Sequence, residues 1–378
     1  MSHSNNFCPL PFAHTAISPT GDFLVCCYHS PPTEHKKNIS DHDLNDWWHG
    51  DYINQVRAAF RNNQKHPGCQ SCWLQESRDV DSYRTQILKE YQILKANSNS
   101  TEIQTIEIQM GNVCNLGCLM CSPSWSSYIN SENKKIKQLD TVISSDHLFD
   151  ENKVQKTLQL INDLDIKIIN VRGGETLYSK AIYRFLDAID DHKKRKLVVH
   201  LSTNATMWNE KWKQLFLKFR LVRFMISVDA TGDLYNYLRY PGDWNQTKKN
   251  ILEITKMPNA KFLINCVVQN LNIMNLGGII EFANHHSIHL TLELIQNPSY
   301  MEITNLPQEK LKVAIDRLSA IQELELKQKN ILNQIEQFKQ ILSQSIESER
   351  DQDLWEEFLG FINKKDQHRG KNFWDYLI

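Results

Sequence analysis

From about residue 101 onward, short apolar runs alternate with longer amphipathic stretches, and this alternation restricts the fold more than any other feature of the chain. The runs TIEIQM before Gly111, IKIINVR before Gly173, KLVVHLSTN (196–204), VRFMISVD (222–229), AKFLINCVV (260–268) and IHLTLELI (288–295) have the length and β-branched content of buried strands. Between them KVQKTLQLINDL, KAIYRFLDAIDDHKK, EKWKQLFLKF and GGIIEFANHH repeat their apolar residues at helical spacing. Six strand and helix alternations imply an α/β fold with a parallel sheet of right-handed crossovers. Six units fall short of the eight of a closed barrel, so a partial (β/α)6 TIM-like barrel is expected.

In such folds chemistry gathers where the strand-to-helix loops leave the C-terminal strand ends. Asn112 follows the first strand, Gly173, Gly174 and Glu175 the second, and Asn270 the fifth; Thr203 and Asn204 end the third, Ser227 and Asp229 the fourth. One sheet edge therefore receives glycines, a carboxylate and small polar groups, together with the cysteine loop that Asn112 opens.

Of the nine cysteines in 378 residues, eight fall within the first 121, namely Cys8, Cys26, Cys27, Cys69, Cys72, Cys114, Cys118 and Cys121. Structural thiols would be scattered through a core, so this bunching indicates ligands. A formal net charge of -1 gives the chain no overall attraction to nucleic acid or an anionic membrane. No apolar run reaches eighteen residues and MSHSNNFCPL lacks the pattern of a signal peptide, so a cytoplasmic location is expected, where thiols stay reduced.

GNVCNLGCLMCSP contains Cys-x3-Cys-x2-Cys. Three thiolates hold three irons of a cubane and leave the fourth open, whereas an electron-transfer 4Fe-4S cluster takes four cysteines. An open metal position is where a substrate or cofactor docks, as in catalytic zinc sites. The alternatives, a zinc site or free thiols, lack a histidine at zinc spacing.

This loop resembles the signature of the radical S-adenosylmethionine (SAM) superfamily. The resemblance implies that SAM chelates the open iron of a catalytic 4Fe-4S cluster on Cys114, Cys118 and Cys121. Reductive cleavage would then yield a 5'-deoxyadenosyl radical that takes a hydrogen atom from a peptide or small-molecule substrate. It also implies a reductant such as flavodoxin or ferredoxin. Gly173-Gly174-Glu175 is similar to the family's glycine-glycine-glutamate motif, in which Glu175 would accept from the SAM ammonium group; Thr176 stands where proline is usual. Ser227, Asp229 and Arg239 are similar to the fourth-strand segment that meets the ribose or carboxylate of SAM. Met120 takes the place of an aromatic residue near the adenine, and Asn265 that of a fifth-strand asparagine pointing into the barrel. Thr203 and Asn204 join this cofactor-binding set. Cys266, a candidate for returning a hydrogen atom to substrate, alternates with Asn265 and so faces the helices, which favours core packing.

Toward the N-terminus, Gly21 between Cys8 and Cys26, flanked by alternating residues, reads as a hairpin that gathers two thiolates. Cys69-x2-Cys72 completes a four-thiolate site sufficient for a second, auxiliary cluster, with tetrahedral zinc as the competitor and the choice between Cys26 and Cys27 open. A helix bearing Trp47, Trp48, Tyr52, Ile53, Val56 and Phe60 is expected to cover it. The pattern is similar to SPASM and twitch modules, which in most relatives follow the barrel. Three segments result: 1–95 auxiliary module, 96–305 partial barrel, 306–378 C-terminal helices. Two further readings stay open at this stage, a non-catalytic iron-sulfur or zinc scaffold and an RNA-modifying enzyme.

Overall fold

The computed structural model describes residues 6–77, 82–90, 101–136, 150–322, 325–347 and 352–376. The chain divides into two compact units. The first comprises Met1–Asn112, Ser144–Leu201 and Gln214–Val222, the second Val113–Ile143, Ser202–Lys213 and Arg223–Ile378. Each draws on more than one of the three segments proposed from sequence.

In the first unit, β1 (His14–Ile17) and β2 (Phe23–Leu24) form the expected hairpin, pairing Ala16 with Leu24 and Ile17 with Phe23. Its turn depends on Gly21, whose φ of 92° suits a residue without a Cβ. β1 then does something the alternation did not announce: it runs parallel to β3 (Thr105–Gln109) and extends the sheet. β4 (Ile168–Arg172) pairs with β3, and β5 (Val198–Thr203) with β4, both in parallel.

Period-two alternation sorts these strands into two faces. Ile106, Ile108, Ile169, Val171, Val199 and Leu201 are buried on one. The other carries His14, Glu107, Gln109, Asn170, Arg172 and His200, an unusually polar set for a sheet interior. The helix Glu151–Asp163 starts at Asp150, which accepts from the Lys153 amide, and buries Val154, Leu158 and Ile161. Lys180–Ala188 starts at Ser179 in the same manner and buries Ile182, Phe185 and Leu186. The second helical run from sequence breaks after Ala188 and resumes at Asp191–Lys194.

Most of β6 (Leu221–Ser227), with β7 (Ala260–Val268) and β8 (His289–Leu294), belongs to the second unit. β6 neighbours β7, and β7 and β8 pair in parallel with Asn265 opposite Thr291. All six strands read from the alternation are present, within two residues of their sequence bounds, and the mixed α/β class with parallel strands holds.

Helices Gln308–Ile321 and Lys329–Glu347 lie against each other, separated around Glu325–Gln328 where the apolar seam fails. A third, Gln352–Arg369, packs against Ser127–Ile136 and is followed by the fully buried Phe373. No described helix is long and apolar enough to cross a membrane.

Candidate functional site

Four thiols line one pocket in the first unit. Cys8 precedes the short helix Leu10–Ala13, Cys26 follows β2, and Cys69 and Cys72 sit at the start of Gln70–Glu76. The pocket walls include Leu10, Val25 and Phe60, so the thiols converge in an apolar recess. Phe60 arrives on the expected covering helix, which is two helices, Leu44–Trp48 and Asp51–Arg61, hinged at Gly50. Arg84 holds the assembly together by donating to the carbonyl of Phe7 at 2.8 Å and to both oxygens of Glu76 at 2.9 and 2.6 Å, which ties Cys8 to the helix of Cys69 and Cys72.

Cys27 is absent from the pocket lining. Burial and the nearby Glu107 push its thiol up to about 12. Of the adjacent pair, Cys26 therefore faces the other three cysteines. Burial also pushes Cys69 up to about 12, with Cys72 adding to the shift, and raises Cys8 and Cys26. Such thiols become thiolates only around a cationic centre, which fits a metal cluster. His29, His66 and Cys69 also bring three ligand atoms within 4.8 Å of one another, a mixed set that shares Cys69 with the thiol pocket.

The second unit holds the other loop. Leu116 and Leu119 are buried while Cys114, Cys118 and Cys121 between and beside them stay half-buried, so the apolar residues anchor the loop and leave the thiols near its surface. Its backbone is fastened along its length. Gly117 N donates to Tyr240 O at 2.6 Å, Leu119 N to Leu238 O at 2.9 Å, and Cys121 N to Cys118 O at 3.1 Å. Ser126 Oγ donates to Leu116 O, and Cys114 N to Ser127 Oγ. A Cβ at Gly117 would come within 2.8 Å of both Arg369 Nη2 and the Tyr128 ring, so the glycine is required by close approach.

Arg369 is the fastening that sequence reasoning missed. It donates to Gly117 O at 2.6 Å and pairs with Glu132, which also takes Lys365 at 2.6 Å. The i,i+4 spacing of Lys365 and Arg369 in FINKKDQHRG was the available signal. Burial opposes charge on Glu132, but the hydrogen bonds and charges of Arg369 and Lys365 prevail and hold it below the usual carboxylate range.

Arg239 Nη1 stands 3.9 Å from Cys118 Sγ, and its Nη2 is 2.7 Å from Asp229 Oδ2. Asp229 also accepts from Val267 N. Two residues read as SAM contacts thus meet each other, and one of them meets Cys118 of the loop. Asn204 donates to Asn115 Oδ1 at 3.1 Å, and Asn115 to Thr206 Oγ1 at 2.9 Å, which joins the end of β5 to the cysteine loop through Asn115, another residue missed from sequence. Thr203 accepts from Ala205 N. Asn265 accepts from Thr291. Ser227 and Met120 are half-buried. Cys266 is fully buried on the face opposite Asn265, 3.8 Å from the carbonyl of Asp229, as alternation required. Within this unit the loop has three thiols and the fourth cysteine is turned into the core.

In the first unit Gly173 and Gly174 take φ of 111° and 54°. A Cβ at Gly173 would lie 2.5 Å from Gly111 O, so the backbone itself demands glycine there. Glu175 is buried and accepts from Leu177 N at 3.0 Å.

The radical SAM superfamily description matches residues 108–283, and an iron-sulfur cluster-binding domain, SPASM, matches residues 8–73. The chain carries a radical SAM domain. Its SPASM domain precedes the radical SAM domain, and the two domains bring a SAM-binding 4Fe-4S cluster and an auxiliary iron-sulfur cluster. Both thiol sets suit that chemistry. Among curated proteins, the probable GTP 3',8-cyclase of Methanocaldococcus jannaschii is 23% identical over 199 residues, 52% of this chain and 59% of its own. The GTP 3',8-cyclase of Helicobacter pylori is 24% identical over 227 residues, 59% of this chain and 66% of its own. The chain thus spans less than two thirds of these relatives. Among solved structures, anSMEcpe with bound AdoMet is 17% identical with a TM-score of 0.42, covering 61% of this chain and 62% of that one. Streptococcus suis SuiB bound to precursor peptide SuiA is 13% identical with a TM-score of 0.41, covering 81% and 67%.

Proposed function

We infer that this radical SAM enzyme abstracts a hydrogen atom from a peptide or small-molecule substrate, in a reducing cytoplasmic setting and with an external one-electron reductant. The observation that carries the reading is the three-thiol loop, whose apolar residues are buried and whose unit spends its remaining cysteine in the core. Cys114, Cys118 and Cys121 are the ligands of the SAM-binding cluster in this reading, and that cluster supplies the electron that cleaves the sulfonium of bound SAM.

The chain's own residues do the rest. Burial raises the Cys118 thiol, and Arg239 offsets part of that by setting a positive charge beside its sulfur, with Asp229 fixing the guanidinium in place. The GGE turn offers backbone at close approach and a buried carboxylate suited to an ammonium group. Thr203, Asn204, Ser227, Asn265 and Met120 complete the SAM-binding set. Cys8, Cys26, Cys69 and Cys72 give the auxiliary cluster four protein ligands and leave no open iron, which favours electron relay over direct binding of substrate.

Anaerobic incubation with SAM and dithionite tests the reading. Wild-type protein releases 5'-deoxyadenosine, read by liquid chromatography, and Cys118→Ala releases none. Absence of the product from reconstituted wild type would leave the scaffold reading in its place.

A further inference from the structure

The polar face of the first unit's sheet has an oddity that the cluster chemistry does not use. His14 on β1, Glu107 on β3 and Asn170 on β4 each bury a side-chain polar atom with no hydrogen-bond partner among the described residues: His14 Nε2, Glu107 Oε2 and Asn170 Oδ1. His14 and Glu107 are almost wholly buried. His14 Nδ1 and Thr105 Oγ1 share a hydrogen bond of 2.7 Å, and Nε2 has no hydrogen-bond partner among the described residues.

The strand register places these atoms side by side. Glu107 stands opposite Asn170, Gln109 opposite Arg172, and His14 opposite Thr105, two residues from Glu107 on the same face. Glu107 Oε1 is occupied by Gln109 Nε2 at 2.9 Å, while Oε2 has the Arg172 charge 3.5 Å away and no full hydrogen bond, the Cys27 thiol beside the carboxylate being a weak donor. Arg172, Asn170 and Cys27 are half-buried and form a rim above the buried floor of His14 and Glu107. Buried acceptors are almost always satisfied in native proteins, so the facing pair of Glu107 Oε2 and Asn170 Oδ1 calls for donors from outside the chain. The pair of Glu107 and Arg172 is electrically balanced, which disfavours a charged guest.

Resting on the radical SAM reading and deepening it, we propose that this face binds a neutral carboxamide group of the substrate, its two N–H groups donating to Glu107 and to Asn170, which stand opposite each other, and its carbonyl accepting from Arg172. A carboxamide matches the set because it is neutral and carries two donors beside one acceptor. The group comes either from a glutamine or asparagine side chain of a peptide or from a free aromatic or aliphatic amide.

Ligand-observed saturation-transfer NMR on the anaerobic holoprotein, without reductant, tests it with acetyl-Ala-Gln-Ala-amide and nicotinamide against the matched acids, acetyl-Ala-Glu-Ala-amide and nicotinate. The proposal expects saturable binding of at least one amide, about tenfold or more tighter than its acid, and whichever amide binds identifies the source. Glu107→Gln, checked for an unchanged melting temperature, removes about tenfold or more of that affinity; Asn170→Ala, at the rim, does the same if the buried variant fails to fold. Equal binding of amide and acid, unaltered affinity in the folded variants, or no saturable binding of either amide overturns it. Release of 5'-deoxyadenosine by the same wild-type preparation, measured separately, shows whether the underlying reading stands when this one falls.

Discussion

The two sulfur sites are built on opposite plans. In the N-terminal pocket four thiols converge from three separate stretches of chain into an apolar recess, and the surrounding structure is local to them: Arg84 and Glu76 tie the pieces together from within the same module. In the three-cysteine loop the thiols come from eight consecutive residues and stay near the surface, and the support is borrowed from far along the chain: Tyr240, Arg239, Lys365 and Arg369. A site that only passes electrons gains from enclosure and a full ligand set. One that must admit a cofactor has to leave a metal position open, so its rigidity comes from hydrogen bonds to the loop backbone rather than from a fourth ligand.

Removing one thiol from each site gives the sharpest contrast. Cys118→Ala takes 5'-deoxyadenosine release to background and lowers iron from about eight to about four per chain, because two thiolates do not retain a cubane. Cys69→Ala also lowers iron to about four, yet the cluster that remains is the SAM-binding one, so its electron paramagnetic resonance spectrum changes on adding SAM, whereas that of Cys118→Ala does not. Iron and sulfide analysis with spectra of the reduced proteins reads both. If SAM perturbs the cluster left in Cys118→Ala, the assignment of the two sites is reversed.

The borrowed support predicts a loss of stability with an acid signature. Glu132→Ala leaves Lys365 and Arg369 buried without their counter-charge and costs about 3–5 kcal/mol, read from urea unfolding. The wild-type contribution depends on pH in a definite direction. Glu132 titrates below its unfolded value of about 4.3, so the pairing contributes in full above that pH and is lost as pH falls through the folded value. Glu132→Gln flattens that part of the profile, and an unflattened profile would place the acid sensitivity elsewhere.

A smaller effect belongs to the GGE turn. Gly173→Ala sets a Cβ against Gly111 O at 2.5 Å in a backbone conformation of positive φ and costs about 1–3 kcal/mol, seen as a lower melting temperature together with weaker SAM binding. An alanine variant that melts with the wild type would show that the turn relaxes freely.

What the sequence disclosed and what it withheld follow from the range of the interactions involved. Strands were legible because Val, Ile and Leu repeat with a period that one stretch of chain contains in full, as in AKFLINCVV, whose bounds match β7 residue for residue. The cysteine loop and the GGE turn were legible for the same reason. Pairings between distant segments were not. Nothing in HTAI states that it will lie parallel to β3, because its partner is some ninety residues away and its own pattern is that of any short strand. Arg369 on the loop carbonyl is separated from Gly117 by 252 positions, and the i,i+4 pair it forms with Lys365 fits an exposed helix face as well as a buried one. Arg239 and Asp229 were legible as site residues, but their pairing with each other depends on how β6 and the following turn are placed.

The smallest predicted effect decides between neighbours in sequence. Cys26 and Cys27 are indistinguishable by spacing, since either lies a hairpin away from Cys8. The turn after β2 separates them: there Cys26 joins the pocket while Cys27 lies by Glu107 and Arg172. Cys27→Ala is therefore expected to keep about eight irons per chain and the wild-type spectrum of the reduced auxiliary cluster, while Cys26→Ala loses about four irons. Cys27→Ser adds a control of matched size that retains a hydroxyl donor near Glu107. Iron loss from the Cys27 variants but not from Cys26→Ala would mean that the hairpin turns the other way around the cluster, and the enclosed, fully ligated plan assigned to the N-terminal site would then need a different fourth sulfur.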